Sequence, residues 1–142
     1  MLRLSLILLT ILYIGAFAQK SQGTLTVEIT GFENDNGTAR ILIFNNAKYF
    51  PEDDKHAYDK KVTKIKNNKA TFTFENIPYG TYAIAVLHDE NDNMKMDYNF
   101  LGVPKEDYGF SNNARAVLKA PSFEDCSFTV NSAYKKITIE VD

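Results

Sequence analysis

Thr81-Tyr82-Ala83-Ile84-Ala85-Val86-Leu87 decides the fold class of this chain. Tyr82, Ile84 and Val86 alternate with Ala83, Ala85 and Leu87, so both phases of the alternation are apolar. Side chains point to opposite faces along a strand, and a strand that is apolar on both faces has to be covered on both. The heptapeptide therefore predicts the central strand of a layered β structure, with small alanines that leave room for a neighbouring layer.

Period-two alternation recurs on either side of this spine. Upstream, Leu25, Val27 and Ile29 share one phase and Thr24, Thr26, Glu28 and Thr30 the other, which predicts a strand with one wet face. Thr38 to Phe44 follows Asp35-Asn36-Gly37, and Asn-Gly tolerates the two positive φ angles of a type I′ turn, so a hairpin joining these two strands is expected. Residues 45–59 lose the alternation and hold Pro51, Glu52, Asp53 and Asp54, which reads as a surface connection with room for a helical turn. A second hairpin is expected from Lys60 to Lys66, the Asn67-Asn68 pair, and Ala70 to Phe74, with Phe72 and Phe74 inward and Thr71 and Thr73 outward. Lys60, Lys61, Lys64 and Lys66 mark its first arm as a solvated edge strand. Ile77-Pro78-Tyr79-Gly80 is a turn before the spine; downstream, Ala114 to Leu118, Cys126 to Val130 and Lys136 to Val141 are the remaining candidate strands. About seven strands with turn signals at short intervals predict an all-β fold, a single Ig-like or transthyretin-like β-sandwich with one long acidic loop.

Arg3, the apolar run Leu6 to Leu9 continued through Ile11 to Ile14, and Ala16-Phe17-Ala18 read as a signal peptide over residues 1–18, with the β-sandwich domain in residues 19–142. The run is shorter than the roughly 20 residues of a membrane helix. The expected location is periplasmic or secreted, with no membrane span after cleavage and no cysteine placed for lipid attachment. The formal net charge of −2 provides no basic footprint for nucleic acid. Cys126 is the single cysteine, so stability has to come from packing rather than an internal disulfide. Its phase with Phe128 and Val130 reads as a buried small hydrophobe.

Between the spine and Cys126, from His88 to Asp125, regular patterning is scarce, and long unpatterned segments inside compact domains are usually functional or disordered. Asp89, Asn91, Asn93 and Asp97 occupy positions 1, 3, 5 and 9 of an acidic calcium-loop pattern. Calcium takes six to eight oxygens, and alternating Asp and Asn in a tight loop aim several at one centre. Met94 stands where an EF-hand needs glycine and Phe100 where it needs its bidentate Glu, so an EF-hand is rejected. A shorter calcium loop completed by Glu106, Asp107 or carbonyls remains one reading, and plain Asx turn chemistry the other. His88, Tyr98, Glu106, Tyr108, Phe110 and Asn112 are the candidate ligand- or partner-contacting residues of the same loop, since aromatics supply contact area and amides adaptable hydrogen bonds. Alternatively Phe100, Tyr108 and Phe110 pin the loop down as a satellite core.

A nucleophile, a base and an orienter are missing as a motif: His56 and His88 are the only imidazoles, and Ser111 and Cys126 have no surrounding signature. His56, His88 and Cys126 have no zinc-ligand spacing. No catalytic residue is assigned.

Asn76-Ile77-Pro78-Tyr79-Gly80-Thr81-Tyr82-Ala83, His88-Asp89-Glu90-Asn91, Gly102-Val103-Pro104-Lys105-Glu106 and Tyr108-Gly109-Phe110-Ser111-Asn112-Asn113 resemble the bacterial family called domain of unknown function 2141. With Pro121-Ser122-Phe123-Glu124-Asp125 and the closing strands, the resemblance spans nearly all of residues 19–142. It implies an exported protein without an established activity. The family typically has glycine where this chain has Met94. The Pro-x-Gly-x-Tyr turn is also similar to that of carboxypeptidase-regulatory and transthyretin-like sandwiches, an analogy of fold alone.

The expected function is a non-enzymatic exported module that binds a protein or carbohydrate ligand through the 88–113 loop, with calcium as a candidate organiser. The alternatives are a hydrolase of glycans or peptides working with loop carboxylates, and a structural cell-surface component.

Overall fold

The computed structural model describes residues 21–142, so the expected signal peptide lies outside the described residues. Among them the chain forms eight strands: β1 (Gln22–Thr30), β2 (Thr38–Phe44), β3 (Asp59–Thr63), β4 (Ala70–Pro78), β5 (Gly80–Asp89), β6 (Tyr108–Phe110), β7 (Phe128–Val130) and β8 (Tyr134–Glu140). One short helix, α1 (Phe123–Cys126), precedes β7. The strands form a two-sheet sandwich. One sheet has the order β4-β1-β8 and the other β3-β2-β5-β6, with β7 also paired to β5.

The alternation read from the sequence builds the interior. Leu25, Val27 and Ile29 from β1, Phe72 and Phe74 from β4, and Ile139 from β8 face Ile41, Ile43, Ile84 and Val86 of the second sheet, and all are buried. β5 is the spine that its both-sided pattern predicts, since it pairs with β2, β6 and β7. β3 is the lysine-bearing edge of the larger sheet, as expected.

The connections differ from the two expected hairpins. β1 and β2 lie in different sheets. A strand has two edges, and those of β1 are occupied by antiparallel β4 and parallel β8, with Val27 opposite both Phe72 and Ile137. β2 pairs instead with β3 and β5. The link between them bends at Gly31 (φ +92) and Gly37 (φ +62), and buried Phe32 closes the core end as the chain crosses. Asn67 (φ 52) and Asn68 (φ 58) do form the expected left-handed pair, closed by the Lys66 and Lys69 bridge. Beyond that bridge the arms part: buried Ile65 turns into the core, β3 joins one sheet and β4 the other.

Two further expectations are corrected at the C-terminal side. Cys126 ends helix α1 rather than starting a strand, because Ser122 and Asp125 form a capping box: Ser122 Oγ accepts from the Asp125 amide at 3.1 Å and Asp125 Oδ2 from the Ser122 amide at 3.3 Å. Its burial stands as expected. Residues 114–118 form no strand; Leu118 is left-handed (φ 66) and, with Val117, fully exposed. The strand on that side of the loop is β6, seated on β5 with Phe110 opposite Ala85. Residues 45–58 form turns without a helix, and Asp59 already belongs to β3.

β6 also ties the sheets together. Tyr108 and Asp142 exchange backbone hydrogen bonds at 3.3 and 3.2 Å, so Gly109 lies against the end of β8. A β-carbon at Gly109 would stand 2.5 Å from the Glu140 carbonyl oxygen. Gly109→Ala is therefore expected to lower stability by about 1–3 kcal/mol in urea unfolding; an unchanged midpoint would show that the two backbones are not held this close.

Candidate functional site

The candidate site is the outer face of the larger sheet. Cross-strand pairing sets Arg40, Leu87 and Tyr108 in one row and Leu42, Ala85 and Phe110 in the next. The inward partners of these strands, Ile41, Ile43, Ile84 and Val86, are committed to the core, so the outward phase is a second, separate apolar surface. Further along, Phe44 and Ala83 are covered by Phe50, Phe110 and Phe123, whose rings meet edge to face at about 6 Å. Over Leu42, Ala85 and Leu87 that cover stops. A groove of about 920 Å³ opens there, with the sheet as floor and the 51–54, 94–104 and 116–120 segments as walls.

The 88–113 loop is built by carboxylates that hold backbone amides. Asp89, buried at the end of β5, accepts from the Asn93 amide (3.0 Å) and the Met94 amide (2.8 Å). Glu106, also buried, accepts from the amides of Glu90 (3.1 Å) and Asp97 (3.0 Å), clamping the two ends of the acidic turn. The carboxylate of Asp97 receives the side-chain amides of Asn91 (2.6 Å) and Asn93 (2.9 and 3.0 Å). Asp92 (φ 56) and Met94 (φ 68) are left-handed, and Thr38 donates to Asp92 at 2.8 Å. Beyond this turn Tyr98 to Pro104 fold back on themselves, with the Asn99 amide donating to the Val103 carbonyl at 2.9 Å, and lift Leu101 and Val103 to the groove rim.

Of the residues singled out from the sequence, Tyr98, Tyr108 and Phe110 line the groove. Burial first, then Glu52 and Tyr108, push the Tyr98 phenol above its ordinary pKa. His88 is inside the sandwich: its Nε2 lies 2.9 Å from the Asn36 carbonyl and its ring is edge-on to Phe32. Its Nδ1 faces Asp107 Oδ2 at 3.7 Å, beyond hydrogen-bonding reach. Asn112 is a staple rather than a rim residue, donating to the carbonyls of Asp125 (3.1 Å) and Ser127 (2.8 Å). Phe100 projects from the loop, 95% exposed, and pins nothing.

Sequence reading missed Arg40, Leu42 and Leu87. A signal exists in Thr38 to Phe44, where Ile41 and Ile43 alternate with Leu42 and Phe44: β2, like β5, is apolar in both phases, and only one phase is needed for the sandwich. Arg40 interrupts the outer phase. Its Nη1 donates to the Met94 carbonyl, its Nε is sealed from solvent without an acceptor, and no carboxylate among the described residues forms an ion pair with it.

Residues 27–138 match the family of uncharacterized proteins conserved in bacteria, domain of unknown function 2141. The chain belongs to this family. The matched span contains the spine, the acidic turn and all three walls of the groove, so the site lies within the part of the chain that defines membership. Comparisons with curated proteins and with solved structures return no match. Among the described residues no helix is long and apolar enough to cross a membrane.

Two expected outcomes follow from the loop and from the thiol. Glu106→Gln leaves one clamping oxygen and turns an NH2 toward an amide donor; a loss of about 1–3 kcal/mol is expected, with faster hydrogen exchange at the Glu90 and Asp97 amides. Unchanged exchange at both amides would show that Glu106 does not clamp the turn. Burial, then Asp125, pushes the Cys126 thiol up to about 11, leaving roughly one thiolate in a thousand at pH 8. Thiol labelling should therefore proceed only at the rate of unfolding, and rapid labelling of the native protein would overturn this placement.

Proposed function

We propose that this protein is an exported, non-enzymatic binding module whose ligand lies in the groove on the outer face of the larger sheet. The observation that carries the reading is the interrupted cover of that face. Phe50, Phe110 and Phe123 seal one end of it, whereas at the other end Ala85, the smallest floor residue, lies under open space of about 920 Å³. Binding sites for small ligands are concave, largely apolar and roughly 300–1,000 Å³ in volume, with a few placed polar groups. The 94–104 wall rests on carboxylate-to-amide hydrogen bonds, which preorganise that side of the groove.

The same hydrogen bonds support a binding role over a hydrolytic one. Asp89 and Glu106 are turned toward backbone amides and Asp97 toward two carboxamides, an arrangement that uses the loop carboxylates to hold shape. His56 lies on the surface beside Asp53, and His88 lies in the core, so neither imidazole faces the groove.

Saturable binding of the neutral apolar probe N-phenyl-1-naphthylamine is expected, at about micromolar affinity. Ala85→Trp should fill the floor and abolish the fluorescence gain while the melting temperature holds. No saturable gain with the wild-type chain, or an undiminished one with the filled groove, removes the reading.

Calcium in the acidic turn is a second reading, favoured by the convergence of Asn91 and Asn93 on Asp97 within 3.0 Å. Asp89, Asn91, Asn93 and Asp97 would hold the ion with their oxygens, which requires the two carboxamides to turn over and present oxygen to it. Thermal melts in calcium and in chelator test this: a rise of several degrees with calcium supports it, and superimposable melts sink it.

A further inference from the structure

Resting on the groove reading above, we propose that the ligand is a single-chain amphiphile with a carboxylate head and an acyl body, of the fatty-acid class, whose head is taken by Arg40.

The head group is argued from charge. Arg40 lies at one end of the groove floor, beside Leu87 in the cross-strand register. Met94 contributes a carbonyl to its Nη1, which fixes the guanidinium plane without neutralising its charge. The Nε is buried without an acceptor, so part of the cation's hydration is lost and not replaced within the described residues. The acidic residues of the groove do not compensate it: Asp54 is paired with Lys60 at 3.3 Å, and Glu52 forms no ion pair with Arg40. Lys95 and Lys119, on two different walls, add positive charge at the rim. A partly desolvated, unneutralised guanidinium beside an aliphatic stretch of floor favours an anion, and its remaining N–H groups match a carboxylate.

The body is argued from the walls. Leu101 (72% exposed), Val103 (52%) and Leu118 (101%) line the groove yet stand in solvent. Apolar side chains gathered on a concave rim are unusual on a free surface and become buried only when something apolar lies between them. Next to Arg40 the floor carries an aliphatic stretch, Leu42, Ala85 and Leu87. An acyl chain needs only dry contact, and its single charged end finds Arg40.

The test displaces N-phenyl-1-naphthylamine from the exported chain with laurate and, separately, with dodecanol, both below their aggregation limits. Laurate is expected to compete about tenfold or more better than dodecanol, and its advantage should shrink in high salt. In Arg40→Gln the advantage of laurate over dodecanol is expected to vanish. Because that change also removes the contact to Met94, the wild-type comparison of the two competitors stands on its own without any variant. Equal competition by laurate and dodecanol overturns the carboxylate assignment while leaving the groove intact. Probe binding that neither compound displaces overturns the acyl assignment. Absence of probe binding fails the groove itself, an outcome distinct from the other two.

Discussion

A strand buried on both faces cannot leave a backbone amide unpaired, and β5 meets that constraint through one hydroxyl. Its second edge is covered by two short strands instead of one long one, β7 against Gly80 to Tyr82 and β6 against Ala85 to Leu87. In the gap between them the Ile84 amide donates to Ser111 Oγ at 2.9 Å, and that hydroxyl donates onward to the Cys126 carbonyl at 2.5 Å. Ser111 thus completes the ladder where no strand reaches, at full burial, where an unmet donor costs about 1–3 kcal/mol. It begins a single 3-10 turn, Ser111–Asn113, whose Asn112 and Asn113 are left-handed and whose side chains secure the Asp125 and Ser127 carbonyls and the Glu140 amide. The long loop's return, helix α1 and the end of β8 all meet at this point.

From there the site is a consequence. The interior phase of β5 fills the sandwich, so its outer phase needs a second cover, which the chain provides with loops because every strand is already placed. Aromatic packing completes that cover around Phe44 and Ala83, where three phenylalanines converge. Over Ala85 and Leu87 the loop from residues 94 to 104 arches away on its own internal hydrogen bonds, and a groove is left. The acidic turn holds that arch in place: Glu106 joins its beginning to its end, and Asp89 anchors it to the strand.

Arg40 is the one cation on that floor, and its position shows why the site was only partly legible. Tyr98, Tyr108 and Phe110 announce themselves by lying in a long aromatic loop. Arg40, Leu42 and Leu87 belong to regular strands, where an outward residue has no mark of its own until something is known to lie over it. The acidic pattern is ambiguous for a different reason. Asp89 and His88 look like loop residues beside a calcium motif, yet both are buried: β5 continues past Leu87 and carries His88 into the sandwich, and Asp89, in the opposite phase, holds the amides of the acidic turn. The spacing of Asp and Asn is shared by ion loops and by Asx-capped turns, since both bring oxygens toward one small region.

The sequence by itself determined most of the strands, though not β6, with their inward phases, the edge position of β3, the central position of β5 and the family. Each of these follows from side chains two residues apart or from short motifs, which are local properties. Only the tertiary structure decided which strands share a sheet. Asn36-Gly37 and Asn67-Asn68 specify bends, but β1 gives its two edges to β4 and β8, and so sends β2 to the other layer. The groove has the same origin, because an open space over Ala85 is defined by the loops that fail to reach it, and that depends on contacts between residues far apart along the chain.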